Sequence, residues 1–241
     1  MSVADHYENL LADHYSWMSG PFAEGVAAQL ALLSGLGVVP SGASRALDLG
    51  CGAGLQSVAL AELGFAVTAI DTSRKLLAEL ATRAGGLAVT PVEGDIVGTA
   101  ELVEPGFEVA VCMGDTLTHL ASAPEVERLF DGVARVLAPS GLFVLTFRDM
   151  TVELTDTDRF IPVRGDADRI MTCFLEYEPE TVRVHDLIHV RQGAEWVLRK
   201  SSYRKLRLTP AWVAAALEQR GFQVLSNGAT GRMVLIVARR S

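Results

Sequence analysis

The 241-residue sequence predicts an α/β fold with a mostly parallel, doubly wound sheet. Short apolar runs alternate with helical patterns over residues 45–148, the core region, and this alternation is typical of βαβ units. The first of these runs leads into a glycine-rich turn, Gly50–Gly54, that opens a helix. Hydrophobic residues make up 49% and charged residues 21% of the chain, which is enough apolar surface for a large core. No linker or repeat divides the sequence, so we expect one domain over residues 1–241.

Residues 1–44 are predicted to form a helical cap, because apolar side chains recur at helical spacing on both sides of Pro21. The core region should hold five strands with helices between them. Ser73 is expected to cap one of these helices, and Ser122 with Glu125 is expected to form a capping box at another. The predicted strands are 46–49, 66–70, 87–92, 107–113 and 142–147.

An antiparallel insertion is predicted over residues 158–208, after the fifth strand. Three apolar runs are separated there by short turns, and short turns join antiparallel neighbours. The runs cover 170–177, 182–190 and 196–208. In the middle run, one face should carry Val182, Val184, Ile188 and Val190, and the other His185, Leu187 and His189. Residues 209–241 should close the fold with a helix and two strands.

The net charge of −8 at pH 7 argues against a nucleic-acid-binding protein, which needs a basic surface. One basic cluster lies on the last predicted insertion strand. We interpret it as a strand face in solvent, with phosphate or acidic-ligand binding as the alternative. The cluster comprises Arg199, Lys200, Arg204, Lys205 and Arg207.

The cysteines and the first residues of the chain indicate a cytoplasmic protein. Cys51, Cys112 and Cys173 are odd in number and far apart, which suits a reducing compartment. No Lys or Arg precedes Arg45, so the positively charged start of a secretory signal is absent. Polar residues and glycines interrupt the uncharged run 25–44, which argues against a membrane span. We therefore expect neither a nucleic acid nor a membrane as a partner.

The strongest functional signal is Asp48 followed by glycines at positions 50, 52 and 54. Glycines let a ligand lie against bare main chain, and the helix that follows offers unpaired N–H groups. The spacing is GxGxG, with Leu55 at the third-glycine position of the dinucleotide fingerprint GxGxxG. This spacing favours a nucleotide-like ligand other than a dinucleotide.

Acidic residues follow the next two predicted strands. Asp71 ends the second strand, where a carboxylate can accept hydrogen bonds from both hydroxyls of a ribose. Asp95 and Ile96 follow the third strand, where an acceptor and an apolar side chain can hold an adenine. Taken singly, Asp48, Asp71 and Asp95 also suit structural roles in a loop, a helix cap and a turn.

This arrangement over residues 45–148 resembles the class I S-adenosylmethionine-dependent methyltransferases. The resemblance implies a Rossmann-like sheet of seven strands whose last strand is antiparallel, and S-adenosylmethionine as the cofactor. It implies that Asp48 and the glycine loop face the methionine part, Asp71 the ribose, and Asp95 with Ile96 the adenine. The implied cofactor-binding residues are Asp48, Gly50, Cys51, Gly52, Gly54, Asp71, Thr72, Asp95, Ile96 and Met113.

Two stretches are similar to glycine and sarcosine N-methyltransferases, namely Cys112–Leu120 and Phe147–Met150. The similarity implies that Arg148 binds a substrate carboxylate and that Asp115 helps to hold the substrate. Asp115, Phe147 and Met150 replace the Asn, His and Tyr of those enzymes. We therefore expect methyl transfer to N or O of a small molecule that can carry a carboxylate, without predicting glycine itself.

Three residues are candidates for catalysis, and each has a structural alternative. Asp115 can accept a proton or hydrogen bond from an amine or hydroxyl, or it can cap a helix start. Arg148 can hold a carboxylate, or pair with a nearby acid such as Asp149. His119 can act as a base, or pack inside its helix.

Tyr7, Tyr15 and Trp17 of the first helix are expected to form a lid, or else a packed amphipathic helix. No metal is predicted. His185 and His189 lie on a strand, where four residues span about 13 Å. An NAD-dependent oxidoreductase and a non-catalytic cofactor-binding or scaffold protein remain the alternative functions.

Overall fold

The structure is a computed structural model that describes residues 3–42 and 44–241. The predicted helical cap is present as α1 (Val3–His6), a π-helical turn (Tyr7–Leu11), α2 (Ala12–Ser19) and α3 (Phe22–Gly35). Residues 3–19 are called the N-terminal segment below. The predictions for residues 1, 2 and 43 lie outside the described residues.

The central sheet has seven strands, as expected. Its strands are β1 (Arg45–Leu49), β2 (Ala66–Asp71), β3 (Val89–Glu93), β4 (Phe107–Cys112), β5 (Leu137–Phe147), β10 (Phe222–Thr230) and β11 (Met233–Arg240). Their order is β10-β11-β5-β4-β1-β2-β3. Strands β1 to β5 pair in parallel, whereas β11 pairs antiparallel with β5. The predicted antiparallel last strand is therefore confirmed.

Helices cover both faces of this sheet and bury two apolar cores. The helices are α4 (Leu55–Glu62), α5 (Arg74–Ala84), α6 (Thr99–Leu102), α7 (Ala123–Val136) and α8 (Pro210–Glu218). One core packs α7 and α8 on the sheet, and the other packs α3, α4 and α5 on its opposite face. Burial on both faces explains why the strands of the core region are continuous apolar runs.

Both α5 and α7 begin after the serine that the sequence predicted, but only one of the two predicted capping bonds forms. The Ser73 side chain accepts a hydrogen bond from the Leu76 amide at 3.4 Å, so the predicted cap of α5 is confirmed. The predicted capping box of α7 is wrong, because the Ser122 side chain makes no cap bond. Glu125 instead accepts from the Ala121 amide at 2.9 Å, one residue before the expected donor.

The insertion is a separate antiparallel sheet of four strands, one more than predicted. The strands are β6 (Phe160–Gly165), β7 (Arg169–Tyr177), β8 (Thr181–Gln192) and β9 (Glu195–Leu206), paired in that order. The additional strand, β6, lies at the sheet edge and contains Pro162, which weakens the sequence signal for a strand. The predicted alternation in β8 is confirmed, since Val182, Val184 and Ile188 are buried.

The N-terminal segment covers the inner face of the insertion. Leu10 and Leu11 form one buried cluster with Met171 and Ile188 of the insertion. The segment therefore fills the space between the insertion and the loops that follow the central strands. No helix among residues 3–42 and 44–241 is long and apolar enough to cross a membrane.

Candidate functional site

A cavity of about 540 Å³ lies at the carboxyl ends of the parallel strands. One wall comes from loops that follow β1 to β4, and the opposite wall comes from the N-terminal segment and from strands β8 and β9. The first wall includes Gly50, Gly52, Asp71, Thr72, Asp95, Ile96, Thr116 and His119. The second includes Val3, Tyr7, Tyr15, Thr181, Arg183, Ser202, Tyr203, Arg204 and Lys205. Ligands of open α/β sheets bind at this edge.

The glycine loop forms the base of the cavity. Gly52 has φ +52°, and a Cβ atom there would lie 3.2 Å from Tyr15 Oη, at the cavity wall. Gly54 has φ +93°, and a Cβ atom there would collide with Leu80 of α5. Glycine is therefore required at Gly54 for packing, whereas at Gly52 it keeps bare main chain beside the cavity.

Asp71 is oriented by the backbone on either side of it. Its Oδ2 accepts from the Gly52 amide and its Oδ1 from the Ser73 amide, both at 2.8 Å. Burial raises the pKa of this carboxyl above its usual value. A fixed carboxylate in a cavity wall suits the hydroxyl pair of a ribose.

Asp95 and Ile96 lie in the same wall beyond β3. Asp95 Oδ1 accepts from the Val97 amide at 2.9 Å. Asp95 therefore stabilises a turn, which was its structural alternative, and also lines the cavity. Ile96 adds an apolar contact surface beside it. The structure thus brings six of the ten predicted cofactor-binding residues into one cavity: Gly50, Gly52, Asp71, Thr72, Asp95 and Ile96.

The other four predicted cofactor-binding residues are not among those that line the cavity. Asp48 points into the protein, where its Oδ2 accepts from Ser57 Oγ of α4 at 2.6 Å, and burial raises its pKa to about 7. The side chains of Cys51 and Met113 are buried in the apolar core, and Gly54 packs on Leu80. These four residues therefore pack on the interior side of the glycine loop and do not face the cavity.

Asp115 differs from the expected substrate contact or base. It has φ +115°, and its side chain is buried among three donors. Its Oδ1 accepts from Thr118 Oγ1 and the Arg148 amide at 2.9 Å, and its Oδ2 accepts from Lys205 Nζ at 2.5 Å. Burial acts to raise the pKa of Asp115, but Lys205 and then His119 outweigh it and lower the pKa. Asp115 is therefore an ionised partner of Lys205 and not a free base.

Arg148 was expected to line the cavity beside Asp115, and it does not. Its side chain is 51% exposed, and its Nε lies 3.5 Å from Asp115 Oδ2. The structure does bring the two residues together, but as an ion pair behind the cavity wall. The structural alternative for Arg148, an ion pair with Asp149 or another nearby acid, is the one observed, and the acid is Asp115.

His119 lies in the cavity wall, and its buried Nε2 atom has no hydrogen-bond partner among the described residues. Burial, followed by the charge of Lys205, lowers its pKa to about 3, although Asp115 acts in the opposite direction. His119 is consequently a neutral imidazole that can donate or accept a hydrogen bond but takes up a proton poorly.

Two of the three predicted lid residues reach the cavity. Tyr7 and Tyr15 line it, whereas the indole of Trp17 donates to Asp166 in the turn between β6 and β7. Trp17 thus attaches the N-terminal segment to the insertion.

The sequence did not single out Tyr203. It placed Lys205 in a basic cluster interpreted as a strand face in solvent, with phosphate or acidic-ligand binding as the alternative, yet Lys205 is only 8% exposed. One feature of the sequence could have linked them: Tyr203 and Lys205 are two residues apart, so on a strand their side chains lie on the same face.

His185 and His189 lie on strand β8, as predicted, and not on a helix. Among the described residues, no group of three or more His, Cys, Asp or Glu side chains could hold a metal ion.

Comparison with known proteins agrees with this geometry. Residues 46–141 match the family described as "Methyltransferase domain". The ubiquinone biosynthesis O-methyltransferase of Caulobacter sp. (strain K31) is 38% identical over 125 residues, 49% of this chain and 46% of that protein. The glycine/sarcosine N-methyltransferase of Aphanothece halophytica is 30% identical over 118 residues, 48% of this chain and 44% of that protein. The chain therefore spans less than half the length of these two relatives.

A solved structure extends the likeness to the insertion. SAM-bound CalS10, an amino pentose methyltransferase from Micromonospora echinaspora, superposes with a TM-score of 0.74. It is 20% identical, and the superposition covers 93% of this chain and 94% of that chain. Over nearly its whole length, the chain thus shares its fold with this methyltransferase.

Proposed function

Because residues 46–141 match the family described as "Methyltransferase domain", we propose that this chain transfers the methyl group of S-adenosylmethionine to N or O of a small molecule. One observation carries the proposal. A single cavity joins a wall suited to the nucleoside, with Gly52, Asp71 and Asp95, to a second wall from the N-terminal segment and insertion. Its volume of about 540 Å³ is in the range of small-molecule sites.

The residues present fit this cofactor. Asp71 would hold the ribose hydroxyls, Asp95 and Ile96 the adenine, and the bare main chain at Gly50 and Gly52 the methionine part. When bound, S-adenosylmethionine supplies a methyl group already activated on a sulfonium. The chain itself then has to position the acceptor and exclude water, so proximity dominates over acid–base chemistry.

The second wall supports an acceptor that is small and is enclosed by side chains. Tyr7 and Tyr15 shield one side of the cavity, and Tyr203 and Lys205 form another. His119 offers an unpartnered ring nitrogen that can orient the acceptor. The two relatives named above act, by their names, in ubiquinone biosynthesis and on glycine or sarcosine, and both are compatible with a small acceptor here.

The test has two stages. Calorimetric titration should detect binding of S-adenosylmethionine and S-adenosylhomocysteine, and no comparable binding of NAD. Mass spectrometry should then detect an added methyl group on at least one member of a panel of amines, hydroxy compounds and carboxylates. Preferential binding of NAD would replace the proposal with an oxidoreductase. Cofactor binding without any product across the panel would favour a non-catalytic cofactor-binding protein.

A further inference from the structure

We propose that Lys205 binds a carboxylate of the methyl acceptor, so that the acceptors of this site are small carboxylic acids. This inference rests on the proposed function and narrows its substrate class. It also assigns carboxylate binding to Lys205, a residue of the insertion, in place of Arg148, which lies outside the cavity.

Lys205 is placed beside the cofactor loop through a short chain of contacts. Its Nζ donates to Asp115 Oδ2 at 2.5 Å. The residue after Asp115 is Thr116, whose hydroxyl donates to the Met113 carbonyl at 3.0 Å and whose side chain packs against Gly50 of the glycine loop. Lys205 is 8% exposed and is one of the residues that line the cavity.

The ammonium has hydrogen-bonding capacity left for a ligand. A lysine ammonium carries three N–H donors, and the bond to Asp115 uses one. Among the residues that the structure describes, no other acceptor within hydrogen-bond distance of Nζ is found. The Asp115 carboxylate, by contrast, already accepts from Thr118, from the Arg148 amide and from Lys205. A ligand in this part of the cavity therefore meets free donors and not a free carboxylate.

The charges around the cavity are segregated. The acidic residues Asp71 and Asp95 line the wall assigned to the cofactor, whereas Arg183, Arg204 and Lys205 line the other. At this second wall, two basic side chains share each carboxylate, and the wall is therefore positively charged. Arg183 and Arg204 both pair with Glu178, and Lys205 and Arg148 both pair with Asp115.

Among the lining residues themselves, the second wall has three cations, Arg183, Arg204 and Lys205, and no carboxylate, and the nearby buried Asp186 is paired with His6. Glu125, also in the lining, is itself paired with Arg128. A positive wall inside a chain of net charge −8 favours an anionic ligand and disfavours a protonated amine. An amine acceptor would consequently bind as its free base, the form that attacks a methyl group.

The experiment uses the protein saturated with S-adenosylhomocysteine and two probes of matched shape, benzoate and benzamide. Calorimetry should show that benzoate binds at least roughly tenfold more tightly than benzamide, because only benzoate forms a charge-assisted hydrogen bond. Lys205→Met should abolish this preference, and Lys205→Arg should retain part of it. Lys200→Met, an exposed lysine on the same strand, should bind like the wild type.

Lys205→Met leaves Asp115 buried with fewer partners and can unfold the site. The double variant Asp115→Asn/Lys205→Met removes both charges, and its affinity for S-adenosylhomocysteine shows whether the cofactor wall is intact. The proposal is wrong if benzamide binds as well as benzoate, if neither binds, or if folded Lys205 variants keep the preference. Failure of S-adenosylhomocysteine itself to bind would instead overturn the proposed function.

Discussion

Three aspartates at or just beyond the ends of central strands have three different surroundings. Asp48 is buried against Ser57, Asp71 faces the cavity, and Asp115 is paired with Lys205. The sequence motif located all three at the correct edge of the sheet. It could not reveal where each side chain points, because that depends on the residue's backbone conformation and on partners far away in the chain.

Asp71→Ala is expected to weaken binding of S-adenosylmethionine by roughly 1.5–3 kcal/mol, the value of charge-assisted hydrogen bonds. Calorimetric titration measures this loss. Asp149→Ala is a matched control, because Asp149 accepts from the Thr151 amide as Asp71 accepts from the Ser73 amide, two residues on in both cases. Asp149 is exposed and is not among the cavity-lining residues, so its loss should leave affinity unchanged. Equal affinity in a folded Asp71→Ala variant would remove Asp71 from the ribose site.

At the scale of elements, the predictable parts are those set by local pattern. The parallel strands, α5 with its Ser73 cap and the alternation in β8 all follow from periodicity and capping. The edge strand β6 and the capping bonds of α7 do not. Pro162 obscures the first, and Glu125 bonds an unexpected amide at the second.

The loop between β1 and α4 depends on contact with α5. Gly54→Ala should destabilise the protein, because the new methyl group meets the fully buried Leu80 at a positive φ. Gly37→Ala is the control, since Gly37 also has a positive φ, +76°, in the left-handed turn that ends α3, but no atom lies within 4 Å of its Cβ position. Both variants share backbone strain, so the difference between their unfolding free energies isolates overpacking, roughly 1–3 kcal/mol. Urea unfolding gives both values, and equal values would exclude the Leu80 contact as the cause.

The N-terminal segment is attached to the insertion by a buried pair. His6 Nε2 lies 2.8 Å from Asp186 Oδ2, and both side chains are at most 1% exposed. Asp186 Oδ1 also accepts from the Cys173 thiol at 2.9 Å. The His6 ring packs on Tyr203 of the cavity wall, with ring centroids 4.3 Å apart. The pair therefore orders the cavity wall as well as the segment.

His6→Ala should accelerate amide hydrogen exchange over residues 3–19, because it leaves Asp186 buried without its imidazole partner. His185→Ala is the control, since His185 pairs with Glu176 on the more exposed face of the insertion. The double variant His6→Ala/Asp186→Asn should recover part of the protection by removing the unpaired charge. Unchanged exchange in His6→Ala would mean that apolar contacts alone hold the segment.

At the scale of the whole molecule, the cavity is built by contacts between distant parts of the chain. Asp115 and Lys205 are 90 residues apart, and His6 and Asp186 are 180 residues apart. No local pattern encodes such pairs, which explains why the residues of the first wall were largely predictable and most of those of the second wall were not. Two other buried groups, His119 and Asp48, link stability to pH.

Two buried groups should give opposite pH dependences of stability. The folded-state pKa of His119 is lowered to about 3, so below its usual pKa only the unfolded chain takes up the proton, and stability falls as pH drops from about 6.5 toward 3. The folded-state pKa of Asp48 is raised to about 7, so the folded chain holds a proton that the unfolded chain releases. This contribution falls as pH rises from about 4 to 7. The two slopes largely cancel between about pH 4 and 6.5.

Single variants should separate these slopes in urea unfolding at pH 4.5 and 8. Asp48→Asn keeps a neutral partner for Ser57, so its stability relative to the wild type should rise with pH, by at most about 1.4 kcal/mol per pH unit. His119→Gln should behave in the opposite way, with its relative stability rising as pH falls. Because each variant removes one proton-linked group, parallel pH curves for a variant and the wild type would show that the group does not titrate differently on unfolding. A flat pH dependence of wild-type stability between about pH 4 and 6.5 would then have to come from other titrating groups.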